Sequence, residues 1–343
     1  MAHEISATDK TFSVREMPWM GLLDGQVHVL EDNPTRAEAQ ALVHPWEPVE
    51  TEVYRRVPAI AADGSLSESY ETIPGSKGIE RSDNGEVLGV VNESFGIVTN
   101  TEMWDVVEAV GKIGTDIEIE TGGSLDGGRK VWALLKMAEP LEIKGDPNGK
   151  TVALLAFQNG HAGTAAFRAQ AINTRIVCAN TSAAADAEAK RHGYEFQFKH
   201  SKGVKSRIED AKAAVSMWRE GVHVWQTAME ALQEVRVTSD QRTIFVEQFQ
   251  PMPPSHLITD RVRGNVEKAR GELLSILNGP TSADIDHTAY GLYMAGIEWS
   301  QHYRAVKGKD ERSRMESHFK RNMLSDDGLR RSTLSLAREV AHA

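Results

Sequence analysis

Nine apolar positions recur through residues 204–232 at alternating steps of four and three: Val204, Ile208, Ala211, Val215, Trp218, Val222, Trp225, Met229 and Leu232. A 3.5-residue repeat sustained this long predicts one helix about 45 Å long at 1.5 Å per residue, with a narrow apolar seam. Such a seam must close on a surface. Its aromatic and alanine positions suit irregular packing against the chain's own sheet better than a regular zipper, with an intersubunit coiled coil as the alternative.

The residues ahead of that helix read as strands. Residues 87–99 are rich in Val, Ile and Phe and predict a strand or a bent pair, and Asn100 or Thr101 is placed to cap a helix ending near Gly111 to Gly114. Ile117 and Ile119 alternate with Glu118 and Glu120 as in a half-buried strand. Asp126-Gly127 then precedes a second apolar run over 129–137, and this dipeptide between strands favours a tight hairpin, whose central residues both need positive φ. Asp146-Pro-Asn-Gly marks the next turn, residues 151–157 the next strand, and residues 194–198 another. An alanine-rich helix is expected over 183–191, capped by Thr181 or Ser182.

At both ends the pattern changes. Residues 1–80 are rich in Pro, Gly and acids and read as an irregular acidic arm with short strands, apart from a short helical turn that Thr35 would cap. Gln250-Pro-Met-Pro-Pro-Ser255 stops any helix, and helical segments follow over 257–278, 287–306 and 329–340. The expected class is therefore α+β: an antiparallel β-meander packed by helices and one long helix, with a C-terminal helical module. The expected division is an arm over 1–80, a core over 81–250 and the module over 251–343.

Charge is sorted along the chain. Residues 1–120 hold 8 Lys and Arg against 23 Asp and Glu, residues 121–207 hold 13 against 7, and residues 208–343 hold 18 against 19. A positive block inside a chain of net charge −10 can present a basic face to a polyanion, or pair with its own acidic third. No apolar run approaches the roughly 20 residues of a membrane span, and the start lacks the regions of a signal peptide, so a cytoplasmic protein is expected. The single cysteine, Cys178, agrees with a reducing compartment.

Motifs for bond chemistry are sparse. Cys178 with His161, His192 and His200 matches no compact zinc pattern, and Cys178 lies between Val177 and Ala179, where a buried inert thiol is usual. The glycine-rich stretch Gly122-Gly-Ser-Leu-Asp-Gly-Gly-Arg129 lacks the Gly-Lys-Ser/Thr ending of a P-loop and reads as a hairpin tip, whose amides are available to a phosphate. No catalytic residue, metal ligand or cofactor is assigned. The candidate nucleic-acid contacts are Arg129 and Lys130 at the tip, Phe167 as a stacking face beside Arg168, then Arg175, and Lys199, Lys202, Lys205 and Arg207 in a connector that no acid interrupts. Trp132 and Phe157 read as core.

The run Glu118-Ile-Glu-Thr-Gly-Gly-Ser-Leu-Asp-Gly-Gly-Arg-Lys-Val-Trp-Ala133, with Asn159-Gly-His-Ala-Gly-Thr164 and Thr174-Arg-Ile-Val-Cys-Ala-Asn-Thr181, resembles a phage/plasmid-like family of unknown function found on mobile elements. Trp19-Met-Gly-Leu22 and the segment from Gly291 to Tyr303 resemble the long form of that family. Where such relatives carry His-Asp-Gly-Ser, this chain has His161-Ala-Gly-Thr164, which removes the acid from a His-Asp pairing. The order of elements is also similar to the core of ring-forming single-strand annealing recombinases. That likeness implies an oligomer binding single-stranded DNA in a basic groove, in recombination or replication. The expectation is thus a homo-oligomeric nucleic-acid-binding protein that anneals strands without bond chemistry. The alternatives are a metal-assisted nuclease or hydrolase, and an acidic interaction protein that blocks a host defence by mimicking DNA.

Overall fold

The structure is a computed structural model, and it describes residues 10–14, 27–60, 66–113, 116–147, 149–163, 166–175, 180–183, 195–198, 204–305, 314, 317 and 328–343. The class is α+β. An eight-stranded sheet runs in the order β10-β9-β8-β7-β6-β1-β2, from β1 (Thr11–Val14), β2 (Val27–Leu30), β6 (Ile117–Leu125), β7 (Lys130–Met137), β8 (Thr151–Gly160), β9 (Phe167–Arg175) and β10 (Asn180–Ala183), with β11 (Glu195–Phe198) paired to β9. β1 is antiparallel to β6 and parallel to β2. A second sheet has the order β3-β4-β5, from β3 (Pro48–Ile60), β4 (Leu66–Arg81) and β5 (Val87–Asn92). The chain clusters into two compact units, the first from residues 1–135, 157–169 and 196–213, the second from 136–156, 170–195 and 214–343.

In the first unit, residues read as an irregular arm form α1 (Arg36–Val43) and the long β3-β4 hairpin. Thr35 caps α1 in a capping box with Glu38, as its position predicts. The hairpin escapes the alternation test because both of its faces carry polar residues, among them Arg55, Glu71, Arg56 and Glu68. Helix α2 (Asn100–Gly111) is capped by Thr99, one residue before the position expected, because Glu102 sits three residues on and completes its box. Residues 87–99 contribute one strand, β5, and the rest of that run lies outside strand and helix. Between β6 and β7 both central residues of the turn have positive φ, Asp126 at 56° and Gly127 at 68°, as the Asp-Gly chemistry requires. Trp132 and Phe157 are buried, as expected.

The long helix α3 spans Val204–Glu234. From Val215 to Leu232 its seam is buried, and Trp225, Met229 and Leu232 join one apolar cluster of the second unit with Phe245, Leu273, Tyr290 and Ala337. The side chains of Val204, Ile208 and Ala211, which open the seam, lie outside the described residues. Helix α4 (Ser239–Phe249), absent from the sequence reading, belongs to that cluster and has a capping box of Thr238 and Gln241. Helices α5 (Asp260–Leu277), α6 (Ala289–Glu298) and α7 (Leu329–His342) complete the core. Every residue of α6 from Ala289 to Ile297 is buried, the mark of a central helix. Gly296 permits this, since a Cβ there would lie 2.5 Å from Thr333 and 3.1 Å from Phe249. Of the helix predicted over 183–191, residues 184–191 lie outside the described residues, as does the stretch 307–313, and Ala183 ends strand β10 together with the expected caps Thr181 and Ser182.

One stripe of α3 also holds a loop. Gln226, Glu230 and Gln233, at the i, i+4, i+7 spacing of a single helix face, bond the backbone at Glu142 O, Lys144 N and Gly145 O, at 2.9, 3.3 and 2.6 Å. The space between loop and helix is a cavity of about 470 Å³ edged by Glu142, Lys144, Asp146, Lys150 and Glu230.

Candidate functional site

The sequence motifs of the first unit converge on the indole of Trp46, just beyond α1. The Arg81 guanidinium lies 4.2 Å from the ring centroid, a cation–π contact made in near-complete burial. Asp83 grips the same guanidinium through both oxygens, at 2.9 and 2.8 Å, and Arg81 also donates to the carbonyl of Gly127 at 3.2 Å. The Arg81 hydrogen bond holds the Asp83 carboxyl below its usual range. Gly128, at φ 95°, lets the hairpin backbone pass over the indole, because a Cβ there would sit 2.5 Å from the ring.

His161 meets the same indole edge-on, with ring centroids 5.7 Å apart. Its Nε2–H donates to Asn100 Oδ1 at 2.9 Å while Asn100 Nδ2 donates to Trp46 O at 2.7 Å, so one amide ties histidine and tryptophan together. That pairing assigns the Nε2 proton, since the Asn100 oxygen can only accept. The His161 backbone N–H donates to Arg129 O at 2.9 Å. Asn159, two residues earlier, donates to Val98 O at 2.9 Å. The carboxylate of Glu47 accepts from the N–H groups of Asn100 and Thr101 at 2.7 and 3.0 Å, which places negative charge on the positive end of α2.

His44 is the second buried imidazole. It accepts from Trp104 Nε1 at Nδ1, 3.0 Å, and so must donate through Nε2 to Gly123 O, 2.9 Å. Burial in apolar surroundings pushes its pKa down to about 3, against the Gly123 hydrogen bond, and Arg81 lowers it further. The ring is neutral at pH 7. Its chemistry here is to connect helix α2 to strand β6.

These groups are sealed from solvent: His44, Arg81, Asn100, Asn159 and His161 are all buried. The quoted motifs around Asp126-Gly-Gly-Arg129 and Asn159-Gly-His161 therefore meet in a polar clasp that fixes backbone to backbone. Ala162, standing where an acid was noted in similar sequences, lies so close to β5 that a Cβ on Gly89 would come within 2.9 Å of its Cβ.

The expected nucleic-acid contacts fare differently from one another. Phe167 is fully buried and packs on Phe157 at 6.4 Å, so it offers no stacking face; it sits on the inward register of β9, and that correction follows from burial alone. Arg129 reaches across to β5, donating to Leu88 O at 2.6 Å and pairing with Asp126 at 3.3 Å, while its side chain stays 44% exposed; the glycines beside it, Gly127 and Gly128, are buried. Lys130 is half-buried. Arg168 is half-buried and donates to the side-chain oxygen of buried Gln158, once that amide is oriented to match its donors. Arg175 ends β9 opposite Asn180. Lys205 and Arg207 stand in the opening turn of α3, with side chains outside the described residues, and Lys199, Lys202 and Cys178 lie outside them altogether. The sequence reading missed His44, Trp46, Arg81 and Asn100; the stretch His44-Pro-Trp46-Glu47 was the available signal.

Among the described residues no three His, Cys, Asp or Glu side chains are grouped to hold a metal ion, and no helix is long and apolar enough to cross a membrane. The chain belongs to the family described as "Domain of unknown function (DUF932)", whose match runs over residues 87–322 and takes in both the hairpin corner and the His161 loop. Comparison with curated proteins and with solved structures gives no match.

Proposed function

We propose that this protein binds single-stranded nucleic acid and anneals strands in phage or mobile-element recombination or replication, without bond chemistry. The mobile-element setting rests on the sequence resemblance. The observation that carries the binding is the connector: Lys199, Lys202, Lys205 and Arg207 follow one another without an acid, and the last two stand in the first turn of α3, ahead of Glu209 and Asp210. The amino end of a helix already carries partial positive charge, so cations placed there are a cost to the isolated chain. A phosphate backbone removes that cost and releases condensed counterions as it binds.

The test is fluorescence anisotropy with a labelled single-stranded oligonucleotide across a salt series. Each phosphate contact on a single strand contributes about −0.7 to the slope of log K against log salt, so the variant with Lys199, Lys202 and Lys205 changed to Ala should lose roughly 2 from that slope. Its thermal transition should hardly move, since exposed charges contribute little to stability. An unchanged slope in a folded variant removes the connector from the interface. Metal-dependent cleavage of the oligonucleotide, abolished by changing one acid, replaces annealing with a nuclease.

A further inference from the structure

The outer half of the β3-β4 hairpin stands beyond the three-stranded sheet. Seven rows, from Tyr54 opposite Thr72 to Ile60 opposite Leu66, pair only β3 with β4, while β5 pairs with β4 only from Ser76 to Glu80. Among the described residues both edges of these rows are therefore open. Both faces are open as well: Tyr54 and Tyr70 on one face are 51% and 65% exposed, and Arg55 and Glu71 on the other are exposed too. A two-stranded ribbon with no packed face is marginal in water, and open edges invite another strand.

Its charge is divided by strand. Residues 54–60 of β3 carry Arg55 and Arg56 and no acid, and residues 66–72 of β4 carry Glu68 and Glu71 and no base. Within the ribbon they face each other, Arg55 to Glu71 at 2.6 Å and Arg56 to Glu68, all four side chains remaining exposed by 47% or more. One long edge is basic and the other acidic.

We infer that this ribbon is a self-association surface, in which the β3 edge of one copy pairs with the β4 edge of the next. Copies placed side by side in one orientation keep strand directions alternating, because β3 and β4 are themselves antiparallel, so the ladder continues from copy to copy. Two β3 edges brought together would set Arg against Arg, which disfavours a two-fold dimer. The contact is head-to-tail, and such contacts close into a ring or run on as a filament. This inference stands on the first unit alone and is independent of nucleic-acid binding.

Charge exchange tests it on the full chain by mass photometry without nucleic acid. Wild type should form species larger than a dimer at low salt, and smaller ones as salt rises and screens the edges. Neither Arg55→Glu/Arg56→Glu nor Glu68→Arg/Glu71→Arg should assemble alone, and an equimolar mixture should, because each then offers the edge the other lacks. The fourfold exchange keeps the pairs inside the ribbon and guards against misfolding: it should assemble with itself and exclude labelled wild type. A wild type that stays monomeric at tens of micromolar, or a fourfold variant that mixes freely with wild type, overturns the inference.

Discussion

Acidification should weaken this fold through His44 in particular. The folded ring holds its pKa at about 3, whereas a histidine in the unfolded chain titrates near 6.5. For a base whose folded pKa is depressed, the stabilising contribution is complete above the unfolded value and is lost as the pH falls toward the folded one. Between pH 7.5 and 5.0 the unfolded chain takes up a proton that the folded chain refuses. The linkage amounts to about 2 kcal/mol over that interval, close to 1.4 kcal/mol per pH unit once below 6.5. Full burial of the ring means that solvent screening does not reduce the figure. Urea unfolding followed by tryptophan fluorescence, for wild type and His44→Gln, isolates this ring from the other histidines. The variant should be less stable at pH 7.5, because a shorter amide cannot span Trp104 and Gly123 equally well, and the gap between the two proteins should narrow by about 2 kcal/mol by pH 5.0. Parallel stability curves would refute the reasoning, as would an NMR titration in which the folded His44 ring takes its proton near pH 6.

Two further outcomes follow from the packing. Gly128→Ala puts a Cβ into the Trp46 ring at a backbone φ of 95°, and should lower stability by about 2 to 4 kcal/mol, read as a fall in thermal midpoint with the transition still cooperative. Phe167→Ala should cost about 3 to 5 kcal/mol by leaving a cavity beside Phe157, while the oligonucleotide affinity of the folded variant stays that of wild type; a loss of about 1 to 3 kcal/mol in binding, the worth of one stacked base, would return Phe167 to the interface.

How much of this was legible depended on whether the signal was local. The α3 helix could be read because its seam is buried along one line, so every third or fourth residue had to be apolar. The Asp126-Gly127 turn could be read because only a few residues tolerate positive φ twice in succession. The β3-β4 ribbon could not, since a strand with no buried face has no reason to alternate apolar with polar. Helix α4 lacks a strong apolar stripe but does carry a capping box, so Thr238-Ser-Asp-Gln241 was the signal to follow. The clasp around Trp46 was the least legible part. Its partners come from positions 44–47, 81–83, 100–104, 123–129 and 159–161, and pairing across such separations is set by the fold, with no spacing to betray it. The His161 loop and the glycine-rich corner were noticed, but as chemistry; burial gives them a different job.

The way the two units are threaded has a consequence for synthesis. Each draws on three separated stretches of chain, and the first unit takes its last from residues 196–213. When residue 135 leaves the ribosome, that unit still lacks the His161 loop that closes on Trp46 and Asn100. At 5 to 20 residues per second, roughly 4 to 16 seconds pass before residue 213 is made. For about the first 25 residues of that interval, roughly 1 to 5 seconds until β8 is made, the nascent chain holds β6 and β7 with no neighbour beyond them, a stretch where a chaperone has time to act and a stalled ribosome would leave an aggregation-prone fragment.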